Sequence, residues 1–230
     1  MSTVIETKNL CRTFGEGETQ VAALDQVNIT IRAGEFTAIT GPSGSGKTTL
    51  LQLIGGLDEP ATGDVFLSGT NIAHMSGAQL SDFRRDHIGF IFQSYNLIPV
   101  LSAQENIEYI MLLQGVSAHA RKERVQEMLA LVGLEGLGDR RPAQLSGGQQ
   151  QRVAVARAMA SKPTIILADE PTANLDSTTG VALIEVMREL NQKLGMTFVF
   201  STHDHKIMDR ADRLIHLEDG VIQLDELRNS

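Results

Sequence analysis

Gly41, Pro42, Ser43, Gly44, Ser45, Gly46, Lys47 and Thr48 run consecutively and fit the pattern G-x-x-x-x-G-K-[ST]. Residues of this kind bind phosphate. Glycines let the backbone wrap closely around anionic oxygens, and the N–H groups of such a loop and of the following helix start face the anion. Lys47 is placed to reach β- and γ-phosphates, and the Thr48 hydroxyl to ligate Mg²⁺. Thr49 follows at the start of the helix. The loop comes after a short β-type run, Phe36–Thr40, and opens a helix carrying Leu50, Leu51, Leu53 and Ile54. That strand–loop–helix setting is the one the motif requires.

A carboxylate for the metal belongs at the end of a neighbouring strand. Ile165-Ile166-Leu167-Ala168 is apolar enough to be buried, and Asp169 and Glu170 follow it directly. The carboxyl ends of strands are where open α/β sheets bind ligands. Asp169 is expected to position Mg²⁺ through water, and Glu170 to activate an attacking water as general base.

Leu145-Ser146-Gly147-Gly148-Gln149 supplies a second anion-ready helix end. Ser146 can cap, and the two glycines expose N–H groups at the helix start. One nucleotide does not need two such ends in one chain. Two chains arranged head to tail, each lending this end to the other's nucleotide, would use both.

With these segments in place, the chain resembles the ABC ATPases over essentially its whole length. Leu145–Gln149 resembles that family's signature. Gln93, after Ile88–Phe92, resembles its glutamine that senses Mg²⁺ and the attacking water. Ala173-Asn174-Leu175-Asp176 resembles the loop that crosses the dimer interface, and His203 resembles the histidine that contacts the γ-phosphate. Phe14 stands where the family often has a tyrosine stacked on adenine; the π-face is kept and the hydroxyl lost. A place for Phe14 in the core stays open. Three longer stretches, Gly55–Gly63, Ile88–Pro99 and Arg141–Gly148, look like the bacterial lipoprotein-release, macrolide-efflux and cell-division group. Ala173 departs from the glycine common there, and Thr48 replaces the commoner serine while keeping the hydroxyl.

The resemblance implies an ATP- and Mg²⁺-dependent ATPase that pairs with a second copy of itself in an ATP sandwich. It also implies transmembrane permease partners and a cytoplasmic position on the inner face of a membrane. Two other readings stay open. One is a cassette that regulates cell-wall enzymes through a membrane partner without transport; the other is a soluble ATPase acting on nucleic acid or ribosomes. The net charge of −8 disfavours the last, because phosphate backbones attract Lys and Arg.

The elements that must position these groups read as α/β. The chain has 230 residues, 42% of them apolar and 21% charged, enough for a normal core. Its one cysteine, Cys11, cannot form an internal disulfide and reads as a small apolar residue in a reducing setting. The first twenty residues hold no apolar run of the kind a secretory signal needs, and no stretch approaches a membrane span of roughly 20 apolar residues.

Candidate strands are Val4–Leu10, a second run through Val27, Ile29 and Ile31, then Phe36–Thr40, Val65–Leu67 and Ile88–Phe92. Residues 102–161 read as helical only, with helices at Ala103–Leu113 and Ala118–Val132 and another opening near Ser146. After them strands and helices alternate: Thr164–Ala168, Thr178–Leu194, Thr197–Phe200, Asp204–Ala211, Leu214–Leu217 and Val221–Leu224. The expected architecture is a P-loop NTPase core with a mainly parallel sheet, an antiparallel β subdomain and an inserted helical subdomain. In the family's terms, residues 1–101 and 162–230 form a RecA-like core plus the β subdomain, and 102–161 the helical subdomain. Tyr95, Leu97, Ile98, Val100 and Leu101 crowd a segment broken by Pro99. They are either a docking site for a membrane partner or filler for the joint between subdomains.

Overall fold

The computed structural model describes residues 2–15 and 17–228. Two sheets and seven α-helices are built from them, in the order β1 (Thr3–Phe14), β2 (Val21–Val27), β3 (Thr30–Arg32), β4 (Phe36–Thr40), α1 (Lys47–Ile54), β5 (Thr62–Leu67), β6 (Thr70–Asn71), α2 (Gly77–His87), β7 (Ile88–Ile91), α3 (Ala103–Leu113), α4 (Ala118–Leu131), α5 (Gly147–Ala160), β8 (Ile165–Asp169), α6 (Ser177–Leu194), β9 (Phe198–Ser201), α7 (His205–Met208), β10 (Arg213–Glu218) and β11 (Val221–Leu227).

The larger sheet has the order β11-β10-β4-β9-β8-β7. All its pairings are parallel except β10 with β11. Strands β4 and β9 are buried along their whole length, as expected where helices or a second layer cover both faces of a parallel sheet. Alternation along these strands sorts the core into two clusters. Phe36, Ala38, Ile166, Ala168, Phe198 and Phe200 face the side packed by α3, α4, α5 and α6. Ile39, Ile165, Leu167, Val199, Ile215 and Leu217 face the side packed by α1 and the antiparallel sheet. On the first side Phe36 and Phe200 meet at 4.5 Å between ring centroids.

The smaller sheet is antiparallel, ordered β2-β1-β5-β6, with β3 also on β1. Here the structure differs from the sequence reading. Strand β1 runs on to Phe14 instead of ending at Leu10, and it bulges against both β2 and β5. The expected second strand divides: β2 ends at Val27, one residue after Gln26 with its left-handed φ of 48°, and β3 starts afresh at Thr30. Strand β2 itself was not legible, because its burial follows no period of two. Helix α2 was missed as well. It buries only Leu80, so it shows no apolar stripe, although Ser76 and Gln79 form a full capping box at its start.

The helices between residues 102 and 161 begin on serines. Ser102 caps α3 in a box with Glu105, Ser117 caps α4, and Ser146 caps α5 in a box with Gln149. Their buried faces, Ile107 and Met111, Val125 and Met128, Val153 and Met159, join the first cluster. No helix among the described residues is long and apolar enough to cross a membrane.

Candidate functional site

The parallel register fixes where chemistry can occur. Ile39 lies beside Ser201, and Ser201 beside Asp169, so β4, β9 and β8 end at one edge. From that edge emerge the loop Gly41–Gly46, the carboxylates Asp169 and Glu170, and the segment Thr202-His203.

Two glycines of the loop are dictated by close approach. A Cβ on Gly41 would lie 1.9 Å from the Leu217 carbonyl oxygen, and one on Gly46 would lie 2.3 Å from that of Ala23; their φ angles are +143° and +101°. Gly44, φ +81°, has open space, so there only the backbone conformation asks for glycine. Gly46 is also the N-cap of α1, with no side-chain cap bond, so the first N–H groups of the helix have no capping side chain. Pro42 and Ser43 are exposed, Ser45 buried and Thr49 half-buried. The Lys47 ammonium donates to the carbonyls of Gly41 and Pro42, each at 2.8 Å. It thus folds over its own loop.

The Thr48 hydroxyl donates to Asp169 Oδ1 at 3.1 Å. A hydroxyl and a carboxylate beside a phosphate loop are hard oxygen donors of the kind that suit Mg²⁺. Gln93 is exposed after β7, and its carbonyl accepts a 3.0 Å bond from Asn174 Nδ2. Glu170 has a left-handed φ of 44° and a mostly buried side chain. Its carboxylate lies 2.7 Å from His203 Nδ1 and accepts from the Thr202 hydroxyl at 3.4 Å. Thr172, Ala173, Asp204 and Lys206 line the open cavity around Glu170 and His203.

Ser146 to Gln149 bond among themselves. Ser146 Oγ accepts from the Gln149 N–H, and Gln149 Oε1 from the Ser146 N–H. Gly147 packs on the Tyr95 hydroxyl and Gly148 on the Thr179 methyl. Among the described residues no hydrogen bond joins Ser146–Gln149 to the phosphate loop. Asp176 caps α6 by accepting from the N–H groups of Thr178 and Thr179. Its hydrogen bonds with Thr179 come first in holding its carboxyl below the ordinary value. Phe14 is paired with Val21 and 45% exposed, so it is not a core residue.

Several residues that tie the site together were not singled out in the sequence. Fully buried Gln151, on α5, donates from Nε2 to the carbonyls of Phe92 and Pro171, one beside Gln93 and the other beside Glu170. Arg157, also on α5, donates to the carbonyls of Tyr95 and Asn96, both at positive φ. Burial pulls its pKa below the usual arginine value. Asn106 holds the backbone at Ile98 and Leu101. An amide or arginine inside a helix carries no local sign that it will hold a loop some 60 residues away.

The segment Ser94–Leu101 divides its roles. Leu97 packs against the core, whereas Val100 is 71% exposed. The open apolar surface lies next to it: a groove between β7 and α3 lined by Phe90, Phe92, Tyr109, Leu113 and Arg157.

Sheet order, phosphate loop and carboxylates together define a phosphate-loop nucleotide-binding protein. The chain belongs to the ABC transporter family, whose model matches residues 24–173, and it is an ATPase of that family with its α/β fold. It is 44% identical over 227 residues to the uncharacterized ABC transporter ATP-binding protein MJ0796 of Methanocaldococcus jannaschii, which covers 97% of each chain. It is 46% identical over 225 residues to the macrolide export ATP-binding/permease protein MacB of Escherichia coli, spanning 98% of this chain and 35% of that one. A solved dimer of MJ0796 in a post-hydrolysis state bound to ADP and Pi superposes with a TM-score of 0.90 at 43% identity, covering 98% of this chain and 99% of that one. These relatives match the lipoprotein-release and macrolide-efflux group expected from the sequence.

Proposed function

We propose that this ATPase drives an export-type membrane partner by closing head to tail with a second copy of itself around ATP. One observation carries the reading: a capped, glycine-led helix start at Ser146–Gly148 makes, among the described residues, no hydrogen bond to the phosphate loop of its own chain, its glycines lying against Tyr95 and Thr179. In the closed pair it would meet the γ-phosphate held by the partner copy. Gly41–Gly46, Lys47 and Thr49 orient the phosphates, and Phe14 takes the base. Glu170 draws the proton from the attacking water, while His203, held by Glu170, faces the γ-phosphate. Mg²⁺, on Thr48, Gln93 and, through water, Asp169, would neutralise charge on the β- and γ-phosphates.

The helices of residues 102–161 form the arm that carries Ser146, and the remaining residues hold the nucleotide. The groove beside α3 receives a short helix of the permease subunit, which places the chain on the inner face of a membrane. Exposed apolar side chains at Tyr109 and Leu113 support this docking. The dimer is tested by light scattering. Glu170→Gln should accumulate as an ATP-bound dimer, and adding Ser146→Arg should return it to monomer. A double variant that still dimerises with ATP would refute the head-to-tail arrangement.

A further inference from the structure

Arg12 occupies a place that nothing in the loop and carboxylate chemistry uses. Its guanidinium lies over the ring of Phe14, 4.8 Å from the centroid. Its Nη2 donates at 2.9 Å to Asp58 Oδ1, which also accepts from the Glu59 N–H. Both ion-pair partners are only 25% exposed. Asp58 follows Gly55, the C-cap of α1, which is the helix opened by the phosphate loop. The opposite end of the arrangement also returns to that loop. Phe14 pairs with Val21, and two residues along β2 the Ala23 carbonyl packs against Gly46. The strand pair that carries Phe14 thus also touches the phosphate loop through Ala23, and the Phe14 ring has an anchored cation over it while the residue keeps nearly half of its surface open.

We propose that Arg12 is a positioning residue for the nucleotide base. It braces Phe14 from behind so that the free face of the ring is presented, already oriented, to a purine. This inference rests on the reading that Phe14 takes the base. A free phenylalanine ring beside solvent must be ordered when a ligand stacks on it, and that ordering weakens binding. A guanidinium clamped by a carboxylate fixes the ring beforehand, and its attraction to the ring face holds the pair together. The contact addresses the base alone, because Arg12 reaches the ring and not the phosphate loop.

The alternative is that Arg12 and Asp58 merely staple β1 to the segment after α1. Two ligands separate the cases: MgATP, which has a base, and magnesium tripolyphosphate, which has none. Dissociation constants are measured in the full chain by displacement of a fluorescent nucleotide, with thermal melts to check folding. Arg12→Ala should weaken MgATP about two- to thirty-fold, the range expected for a cation over an aromatic face. It should leave tripolyphosphate affinity and kcat at saturating ATP within about twofold, and KM should rise with Kd. Arg12→Lys should recover part of the loss. In a Phe14→Ala background, Arg12→Ala should add nothing further.

Equal weakening of both ligands, or full additivity with Phe14→Ala, would overturn the proposal. So would unchanged ATP affinity in Arg12→Ala while Phe14→Ala weakens it. If Phe14→Ala itself leaves ATP affinity intact, the base reading of Phe14 is what falls. If Arg12→Ala does not fold, Arg12→Gln and Asp58→Asn carry the same comparison.

Discussion

The carboxylate of Glu170 lies 2.7 Å from His203 Nδ1, joining the end of β8 to the segment after β9. The pairing holds because β8 and β9 are parallel neighbours that end in register. It also explains why Glu170 tolerates a left-handed φ of 44°: the Glu170 N–H donates to the Ser201 carbonyl, and its side chain turns toward Thr202 and His203.

Glu170→Gln should keep nucleotide affinity near that of the parent and slow hydrolysis by ~10²–10⁴-fold, the usual contribution of a general base. His203→Ala should slow hydrolysis as well, without removing ATP binding. ATPase rates measured beside nucleotide affinities check both. Parent turnover in Glu170→Gln would assign the base to another group.

Gly41→Ala tests the loop. A methyl group there must displace the Leu217 carbonyl, which belongs to β10, in a backbone region that alanine resists. The expected result is loss of nucleotide binding together with a lower Tm. Gly44→Ala, with open space around it, should cost stability through backbone strain alone and bind more weakly without a comparable fall in Tm. Calorimetry and nucleotide titration of the two variants make the comparison.

Leu113→Asp tests the groove. Leu113 is 52% exposed, so the isolated chain should fold and keep its basal ATPase rate. Co-purification with the membrane subunit and stimulation by it should both fall. Leu97→Asp should instead destabilise the isolated chain, because Leu97 packs against the core. If Leu113→Asp assembles and couples as the parent does, the docking surface lies elsewhere.

Arg157→Met tests the link between α5 and the loop that follows Gln93. Removing a buried guanidinium that serves two carbonyls should destabilise the fold by about 1.5–3 kcal/mol. The rate at saturating ATP should fall more than ATP affinity, since the loop after Gln93 loses a tether at Tyr95 and Asn96 while the phosphate loop keeps its contacts. Denaturant melts and steady-state kinetics read the two effects separately.

Phosphate loop, carboxylates and capped signature helix were legible because each is a local pattern with its own chemistry. Lys47, Asp169 and Ser146 can be read within a few neighbours. The helices between 102 and 161 were legible because the segment holds no strand-like run and Ser146 can cap the last of them. What escaped was either irregular or long-range. Strand β2 lacks alternation, and α2 buries a single leucine. Gln151 and Arg157 act on groups that the fold, not the chain, makes adjacent, and so does Arg12 toward Asp58. The exposed segment near Pro99 was half legible: its apolar content marked a surface, but only the packing tells Leu97 from Val100.

The position of β4 has a consequence for how the molecule comes into being. This strand lies between β9 and β10, so both its flanks are supplied by residues 198–218. As the chain leaves the ribosome, β4 and the loop after it emerge first, and the strands that flank β4 arrive about 160 residues later. Contacts so distant along the chain must overcome a large closure entropy before they gain anything. The phosphate loop is therefore synthesised well before the two strands that hold β4 in place. A nascent chain can present Gly41–Thr48 without yet having a place to put ATP.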